Sequence, residues 1–269
     1  MIRRTLTATQ LATFSIDLPN ANVNGMPIPT GTGFFVSPDG WFITAAHVVT
    51  KNNQSDGPPR DDIENAWLMK EARPGAFMSG MCEYPRLDTI IANLDFALLK
   101  LDFGRNSNKA HLQEKTGFPN LVVSTRQLEE GEPVYAFGYP LSYPDVAVSD
   151  EISTIVHSAH CPRTTSAIVA ATMDVTAIAH SAADPQVYVL DKALNYGNSG
   201  GPIVASDTGK VHALCSRFQP VSIRQPHIQT SDGKPLEILI PSLYGVVSSL
   251  RNDEILSCLR QRGVPLSND

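Results

Sequence analysis

The stretch Gly197-Asn198-Ser199-Gly200-Gly201-Pro202 decides how the rest of the chain is read. It is a glycine-rich turn that carries one serine between two strand-like runs. A serine hydroxyl is a weak nucleophile at neutral pH and needs a neighbouring base to take its proton. It also needs backbone N–H groups aimed at the oxyanion that forms when it attacks a carbonyl. Glycines beside the serine let the backbone turn tightly and approach another group with no Cβ in the way. Such a turn has a chemical use only if a histidine and an acid lie elsewhere to complete it.

Both lie upstream. Thr30-Gly31-Thr32-Gly33-Phe34-Phe35-Val36 and Trp41-Phe42-Ile43-Thr44 are β-rich runs separated by Ser37-Pro38-Asp39-Gly40, a hairpin signal. The second run leads straight into Ala45-Ala46-His47-Val48-Val49. Asp95 opens a further apolar run, Phe96-Ala97-Leu98-Leu99-Lys100-Leu101, and Thr89-Ile90-Ile91 precedes it. The order is therefore His47, Asp95, Ser199. In a triad of this kind the histidine takes the serine proton and returns it to the leaving group. The acid holds the imidazole in the right tautomer and stabilises its charged form.

Around these points the chain reads as many short strands. One is expected near residues 11–16, with a loop over 23–30 that is rich in Asn, Gly and Pro. Residues 51–75 are polar and read as a long surface loop with a helical turn near 63–70. A polar stretch over 102–119 divides the chain, giving an N-terminal β half (1–118) with His47 and Asp95 and a C-terminal β half (119–250) with Ser199. Strands of the second half are expected near 121–123, 133–140, 152–157, 168–179, 187–190, 202–204 and 211–218, with a polar loop over 219–234. Asn252, followed by Asp253 and Glu254, can start a short helix that ends at Gly263 and Pro265, within a tail of residues 251–269. Short strands with turns between them predict an all-β barrel or sandwich.

Composition narrows the partners. At 269 residues the chain can bury a full core, and 42% hydrophobic residues rule against wholesale disorder. A net charge of -6 with no basic run longer than Arg3-Arg4 excludes nucleic acid as a main partner. No stretch approaches the roughly 18 apolar residues of a membrane span, and no signal-peptide core follows Arg3-Arg4. The chain reads as cytoplasmic, and Cys82, Cys161, Cys215 and Cys258 read as free thiols in it. His157 with His160 and Cys161, and His212 with Cys215, have the residue types of metal ligands. Positions three apart on a strand face opposite ways, so no metal site is expected there. Trp41 and Phe42 are expected in the core.

Thr44-Ala45-Ala46-His47, Asp95-Phe96-Ala97-Leu98-Leu99 and Gly197-Asn198-Ser199-Gly200-Gly201-Pro202 together resemble the three signature motifs of trypsin-like serine proteases, over roughly residues 28–250. A lone Gly-x-Ser-x-Gly also fits an α/β-hydrolase elbow, but that fold places its acid and histidine after the serine. Val48 stands where secreted trypsins carry a cysteine, and Asn198 stands where they carry the acid that pairs with a newly cut N-terminus. Activation by that cut is therefore not expected. Asp191-Lys192-Ala193-Leu194-Asn195-Tyr196-Gly197-Asn198-Ser199 is similar to the pattern of the HtrA/Deg branch, and so is Phe137-Gly138-Tyr139-Pro140. Too few residues follow Phe218 for the PDZ domain usual in that branch, so a stand-alone protease domain is expected.

The resemblance implies two packed six-stranded antiparallel β-barrels with a short C-terminal helix and the triad between them. It implies an oxyanion hole from the backbone of Gly197 and Ser199, with Asn198 assisting. It implies a specificity pocket near Ala193 and Leu194, walled by the strand Ala213, Leu214, Cys215 and Ser216, and a small or medium apolar residue before the scissile bond. The implied partner is a protein or peptide substrate, with no cofactor and no metal. Restraint by a regulatory protein or by an ordering loop is expected for such an enzyme in a cytoplasm. The alternative is the same fold without catalysis, used as a protein-binding module.

Overall fold

Strand β1 (Thr13–Val23) shows how the sequence builds the first half. Its alternating Phe14, Ile16 and Leu18 are fully buried in the main apolar cluster. The opposite face, Thr13, Ser15 and Asp17, is equally buried, so its polar groups must find partners inside the protein. Thr13 Oγ1 donates to the Thr9 carbonyl at 2.7 Å, and Ser15 Oγ bonds Asp17 Oδ1 at 2.9 Å. The computed structural model describes residues 2–23, 26–70, 80–106, 117–140, 144–149, 152–158, 162–174, 186–218, 221–229, 235–240 and 244–268.

The first half contains helix α1 (Ile2–Ala12) and strands β1, β2 (Met26–Phe35), β3 (Trp41–Ala45), β4 (Trp67–Lys70), β5 (Gly80–Glu83), β6 (Arg86–Ile91) and β7 (Phe96–Lys100). A one-turn helix α2 (Ala46–Val49) follows β3. These strands form a sheet of order β5-β4-β1-β2-β3-β7-β6, antiparallel throughout. Register shifts in β1 and β6 bend it, because a bulge adds local twist. Its two edge strands, β5 and β6, are consecutive in the chain and joined by Tyr84-Pro85.

After the short α3 (Phe103–Asn106) come β8 (Val123–Ser124), β9 (Pro133–Gly138), β10 (Pro144–Ser149), β11 (Ile152–Ser158), β12 (Arg163–Asp174), β13 (Gln186–Leu190) and β14 (Pro202–Ala205). Then follow β15 (Val211–Phe218), β16 (Val221–Gln229), β17 (Pro235–Ile240), β18 (Gly245–Ser249), helix α4 (Asp253–Gln261) and β19 (Leu266–Ser267). The order β14-β9-β12-β13-β18-β15 closes on itself through pairing of β14 with β15, giving a six-stranded barrel. Val134, Ala136, Tyr188, Leu190, Ile203 and Val247 fill it. Two hairpins, β10–β11 and β16–β17, pair only within themselves among the described residues. The all-β architecture of a curled sheet and a closed barrel with few helices agrees with the expected fold class.

Helix α4 starts where the sequence indicates, with the Asn252 side chain accepting the Glu254 N–H. Gly263 takes the positive φ of 69° that helix endings favour. Its Ile255, Cys258 and Leu259 join the core of the first sheet, so the C-terminal helix packs back on the N-terminal half. Arg262 bonds Asp88 and Thr89 and lies over Trp41, whose ring Lys100 also covers. Phe42 is fully buried as expected, whereas Trp41 is half-buried beneath these two cations.

Several local expectations are corrected. Residues 11–12 end α1, since Thr9 satisfies its hydroxyl on the Thr5 carbonyl and tolerates the helix; the strand begins only at Thr13. Residues 23 and 26–30 belong to β1 and β2. Pro27 and Pro29 lie opposite Asn22 and Asp17 of β1, in a stretch of β2 that has no β3 partner and so is paired on one side only. The helical turn expected near 63–70 covers only Ile63–Asn65, a further turn stands at Lys51–Asn53, and Trp67–Lys70 is a strand; an apolar run this short does not reveal its period. Much of 219–234 forms β16, because the alternation in Val221-Ser222-Ile223 is hidden by polar residues. The expected 121–123 strand is only Val123–Ser124, while Leu121 packs in the core. Residues 71–75, 175–179, His160 and Cys161 lie outside the described residues.

The aromatic centre of the first core is Phe35. It stacks on Phe118 at 4.3 Å and meets Phe14 and Phe42 edge-on at 5.4 and 4.9 Å. Phe35→Ala would leave a cavity bounded by three rings and is expected to cost about 3–5 kcal/mol of stability. Urea unfolding of the variant checks this; a cost below about 1 kcal/mol would mean the rings collapse into the space.

Candidate active site

The strand β3 and helix α2 fix His47 by burying its neighbours. Ile43, Ala45, Ala46, Val48 and Val49 are at or near zero exposure, while the His47 side chain keeps 19%. Asp95 arrives from the opposite direction, between the turn Ala92–Leu94 and the fully buried start of β7. Its backbone is left-handed (φ 49°, ψ 38°), a conformation that aspartate visits more readily than most residues. The Ala46 N–H donates to the Asp95 carbonyl at 3.0 Å, which ties the two segments together.

The Asp95 carboxylate is nearly buried and meets four donors. Oδ2 accepts from His47 Nδ1 at 2.8 Å and from Ser216 Oγ at 2.7 Å. Oδ1 accepts from the His47 N–H at 3.0 Å and from Ser55 Oγ at 2.7 Å. Burial works against its charge, but the hydrogen bond and charge of His47, with the hydroxyls of Ser216 and Ser55, outweigh it. The carboxyl is held below the usual aspartate range.

Ser199 sits in the turn before β14, and the first sheet holds that turn. The Thr32 N–H donates to the Ser199 carbonyl at 2.7 Å, and Thr32 Oγ1 donates to the Gly197 carbonyl at 2.5 Å while accepting the Tyr139 N–H. Thr44 Oγ1 in turn donates to the Thr32 carbonyl. Gly200 has φ 83°, and a Cβ there would stand 2.2 Å from both the Thr32 carbonyl and Thr44 Oγ1, so only glycine fits. The Gly200 N–H and the Cys215 carbonyl, at 2.7 Å, join the turn to β15.

His47, Ser199, Gly197, Leu194, Cys215 and Ser216 line one cleft of about 1180 Å³. Among the described residues, the N–H groups of Gly197 and Ser199 donate to no protein atom. The Asn198 N–H is committed to the Asn195 carbonyl at 3.1 Å, so Asn198 supplies no backbone donor to an oxyanion. No hydrogen bond joins His47 to Ser199 Oγ among the described residues. Such contacts are often long before substrate binds.

The expected pocket wall is corrected in part. Leu194 and Cys215 reach the cleft, but Ala193 does not. Ala213 lies in the interior of the closed barrel and Leu214 in the first core, both at zero exposure, because alternation on β15 sends them to opposite buried faces. The His212 ring meets the Arg126 carbonyl through Nδ1 at 3.0 Å. Among the described residues no group of three or more His, Cys, Asp and Glu could hold a metal ion. Cys82 is buried, Cys215 and Cys258 are buried free thiols, and burial pushes the Cys215 thiol far up, so it stays neutral.

Sequence reasoning missed three participants. Thr32 was legible only as part of a strand, and Ser216 only as part of a wall. Nothing in spacing marks Ser55.

Compared with known proteins, the model of the trypsin-like peptidase domain matches residues 31–214. Human serine protease HTRA4 is 27% identical over 183 residues, covering 68% of this chain and 29% of that protein. Zebrafish serine protease HTRA1A is 26% identical over the same shares. The chain thus spans less than a third of the length of these curated relatives. Among solved structures, a serine endoprotease from Yersinia pestis aligns with a TM-score of 0.56 at 15% identity, over 98% of this chain and 66% of that one. The Rv3671c protease from M. tuberculosis in its active form aligns with the same TM-score at 17% identity, over 98% and 87%. At such identities the structures speak for the fold.

Because Asp95 is held below its ordinary range in the native state, its stabilisation is complete above that range and is lost as pH falls through the native value. Urea unfolding across about pH 6 to 2 should show an acid loss of stability that Asp95→Asn reduces. An equal loss in both proteins would remove Asp95 as the source. Thr32→Val deletes the hydroxyl that meets Gly197 and Tyr139. It is expected to cost about 1–3 kcal/mol, read in the same unfolding assay. A variant as stable as the parent would show the turn to be held without it.

Proposed function

The chain belongs to the trypsin-like peptidase family as a serine protease domain of the HtrA type, and from that premise we propose that it hydrolyses peptide bonds of protein substrates through Ser199, His47 and Asp95. The observation that carries this reading is the His47 Nδ1–Asp95 Oδ2 bond of 2.8 Å, in a cleft shared with Ser199 and two uncommitted N–H groups.

Ser199 Oγ attacks the scissile carbonyl as its proton passes to His47 Nε2. Asp95 accepts from Nδ1, so Nε2 is the nitrogen left to act as base, and the carboxylate stabilises the imidazolium that results. The tetrahedral oxyanion takes the N–H groups of Gly197 and Ser199. His47 then protonates the leaving amine, and water, deprotonated by His47, releases the acyl group by the reverse route. No step calls for a cofactor. Leu194 and the neutral Cys215 give the cleft an uncharged, apolar wall, which favours a small or medium apolar residue before the scissile bond.

Restraint by a regulatory partner or by an ordering loop belongs to this reading. Such restraint suits work in a cytoplasm.

Labelling by a fluorophosphonate probe tests the reading. Wild-type protein should label and Ser199→Ala should not, while Asp95→Asn should slow turnover by about ten-thousandfold through loss of the right tautomer. Labelling in lysate but not of the purified chain would identify a partner requirement. Folded wild-type protein that labels in neither setting would favour the silent binding module.

A further inference from the structure

The loop after α2 does more than connect elements. Thr50 and Pro59 pair as an isolated bridge, and the Lys51 N–H donates to the Pro58 carbonyl at 2.9 Å. Thr50 Oγ1 donates to the Gln54 carbonyl at 2.6 Å, and the Gly57 N–H donates to the same carbonyl at 2.9 Å. Asn52 and Asn53 take left-handed backbones (φ 60° and 54°), which asparagine tolerates better than most residues. The chain therefore folds back tightly and closes through its own backbone and Thr50. That closure does not need the hydroxyl of Ser55.

The hydroxyl is used elsewhere. Ser55 Oγ donates to Asp95 Oδ1 at 2.7 Å, across 40 positions of sequence. Asn53, Gln54, Ser55 and Asp56 also line the cleft. A carboxylate offers about four acceptor sites, and here each oxygen takes two donors. On Oδ2 the second donor is Ser216, from the closed barrel; on Oδ1 it is Ser55. Without Ser55, Oδ1 keeps a single backbone donor, and the carboxylate, still held at Oδ2 by His47 and Ser216, loses one of the four bonds that set a terminal torsion which is intrinsically broad.

We propose that Ser55 is a positioning residue of the reaction: its hydroxyl fixes the Asp95 carboxylate, and through it the His47 imidazole, from a loop that itself walls the cleft. This rests on the protease reading above. A substrate lying against Asn53, Gln54 and Asp56 presses on the same short loop that carries Ser55. Contact with substrate on this side of the cleft is thereby communicated to the orientation of His47.

The test compares the wild-type chain with Ser55→Ala and Ser55→Thr. Two readouts are taken: the rate of fluorophosphonate labelling, and the proton NMR signal of the His47 Nδ1–H shared with Asp95. Ser55→Ala is expected to label about tenfold more slowly, with the proton signal shifted or broadened, and Ser55→Thr to recover both. With a peptide substrate the loss should fall on kcat and leave KM within about twofold. A folded Ser55→Ala that matches wild type in labelling rate and proton signal overturns the proposal. Should that variant fail to fold, Ser55→Cys keeps the volume with a weaker donor and faces the same two readouts. A wild type that never labels counts against the protease reading alone. The proton signal then decides for Ser55: changed in Ser55→Ala it stands, unchanged it falls.

Discussion

The site depends on a seam of short hydrogen bonds between two sheets, because the groups that must cooperate are carried by different ones. His47 and Asp95 ride on the first sheet, and Ser199 on the closed barrel. Thr32 clamps the Ser199 turn by N–H and hydroxyl, Ser216 reaches back to Asp95, and Ser248 Oγ donates to the Leu94 carbonyl at 2.6 Å. These are small side chains with few rotamers to lose. They act where burial excludes competing water and an unmade bond would be costly. The glycines at 31 and 200 are the steric counterpart. A Cβ on Gly31 would stand 3.1 Å from the Ser199 carbonyl and under 3 Å from the Val48 side chain, so the Ser199 turn and α2 both come this close only without it.

Much of this was legible in the sequence, and the reasons differ by residue. His47, Asp95 and Ser199 stand out because each lies in a local motif whose neighbours are fixed by burial or by tight turns. Helix α4 was legible because Asn252 and Gly263 act within a few residues of themselves. Ser55 and Thr32 were not, because their partners lie 40 and 165 positions away and a hydroxyl carries no spacing signature. The pocket wall was started two residues too early along β15, at Ala213 where the cleft begins at Cys215: burial of Ala213 and Leu214 depends on which cores flank the strand, a tertiary fact. Hairpin β16–β17 and strand β4 were hidden by polar composition and by length.

The electrostatics of the cleft follow from the same seam. An aspartate taken out of water tends to bind a proton, and a protonated Asp95 would leave an imidazolium unsupported. Its four donors reverse that tendency while leaving it no freedom of orientation. The left-handed backbone at Asp95 is a modest strain that these bonds over-determine, as is common where geometry matters more than local comfort. Cys215, by contrast, is sealed as a neutral thiol, so the wall opposite offers shape with no charge.

The two halves close in different ways. The second ring is sealed by its hydrogen-bond ladder, through β14 and β15, and exposes no raw rim along those strands. The first is a hoop whose ends are hooked by the chain itself: β5 and β6 occupy its two rims, yet only Tyr84-Pro85 separates them. Three Cα steps from Glu83 to Arg86 limit the gap at that end to about 11 Å, however the rims move. Among the described residues the rims are tethered without being paired, so a short covalent leash limits their separation at one end where the other sheet has a full ladder.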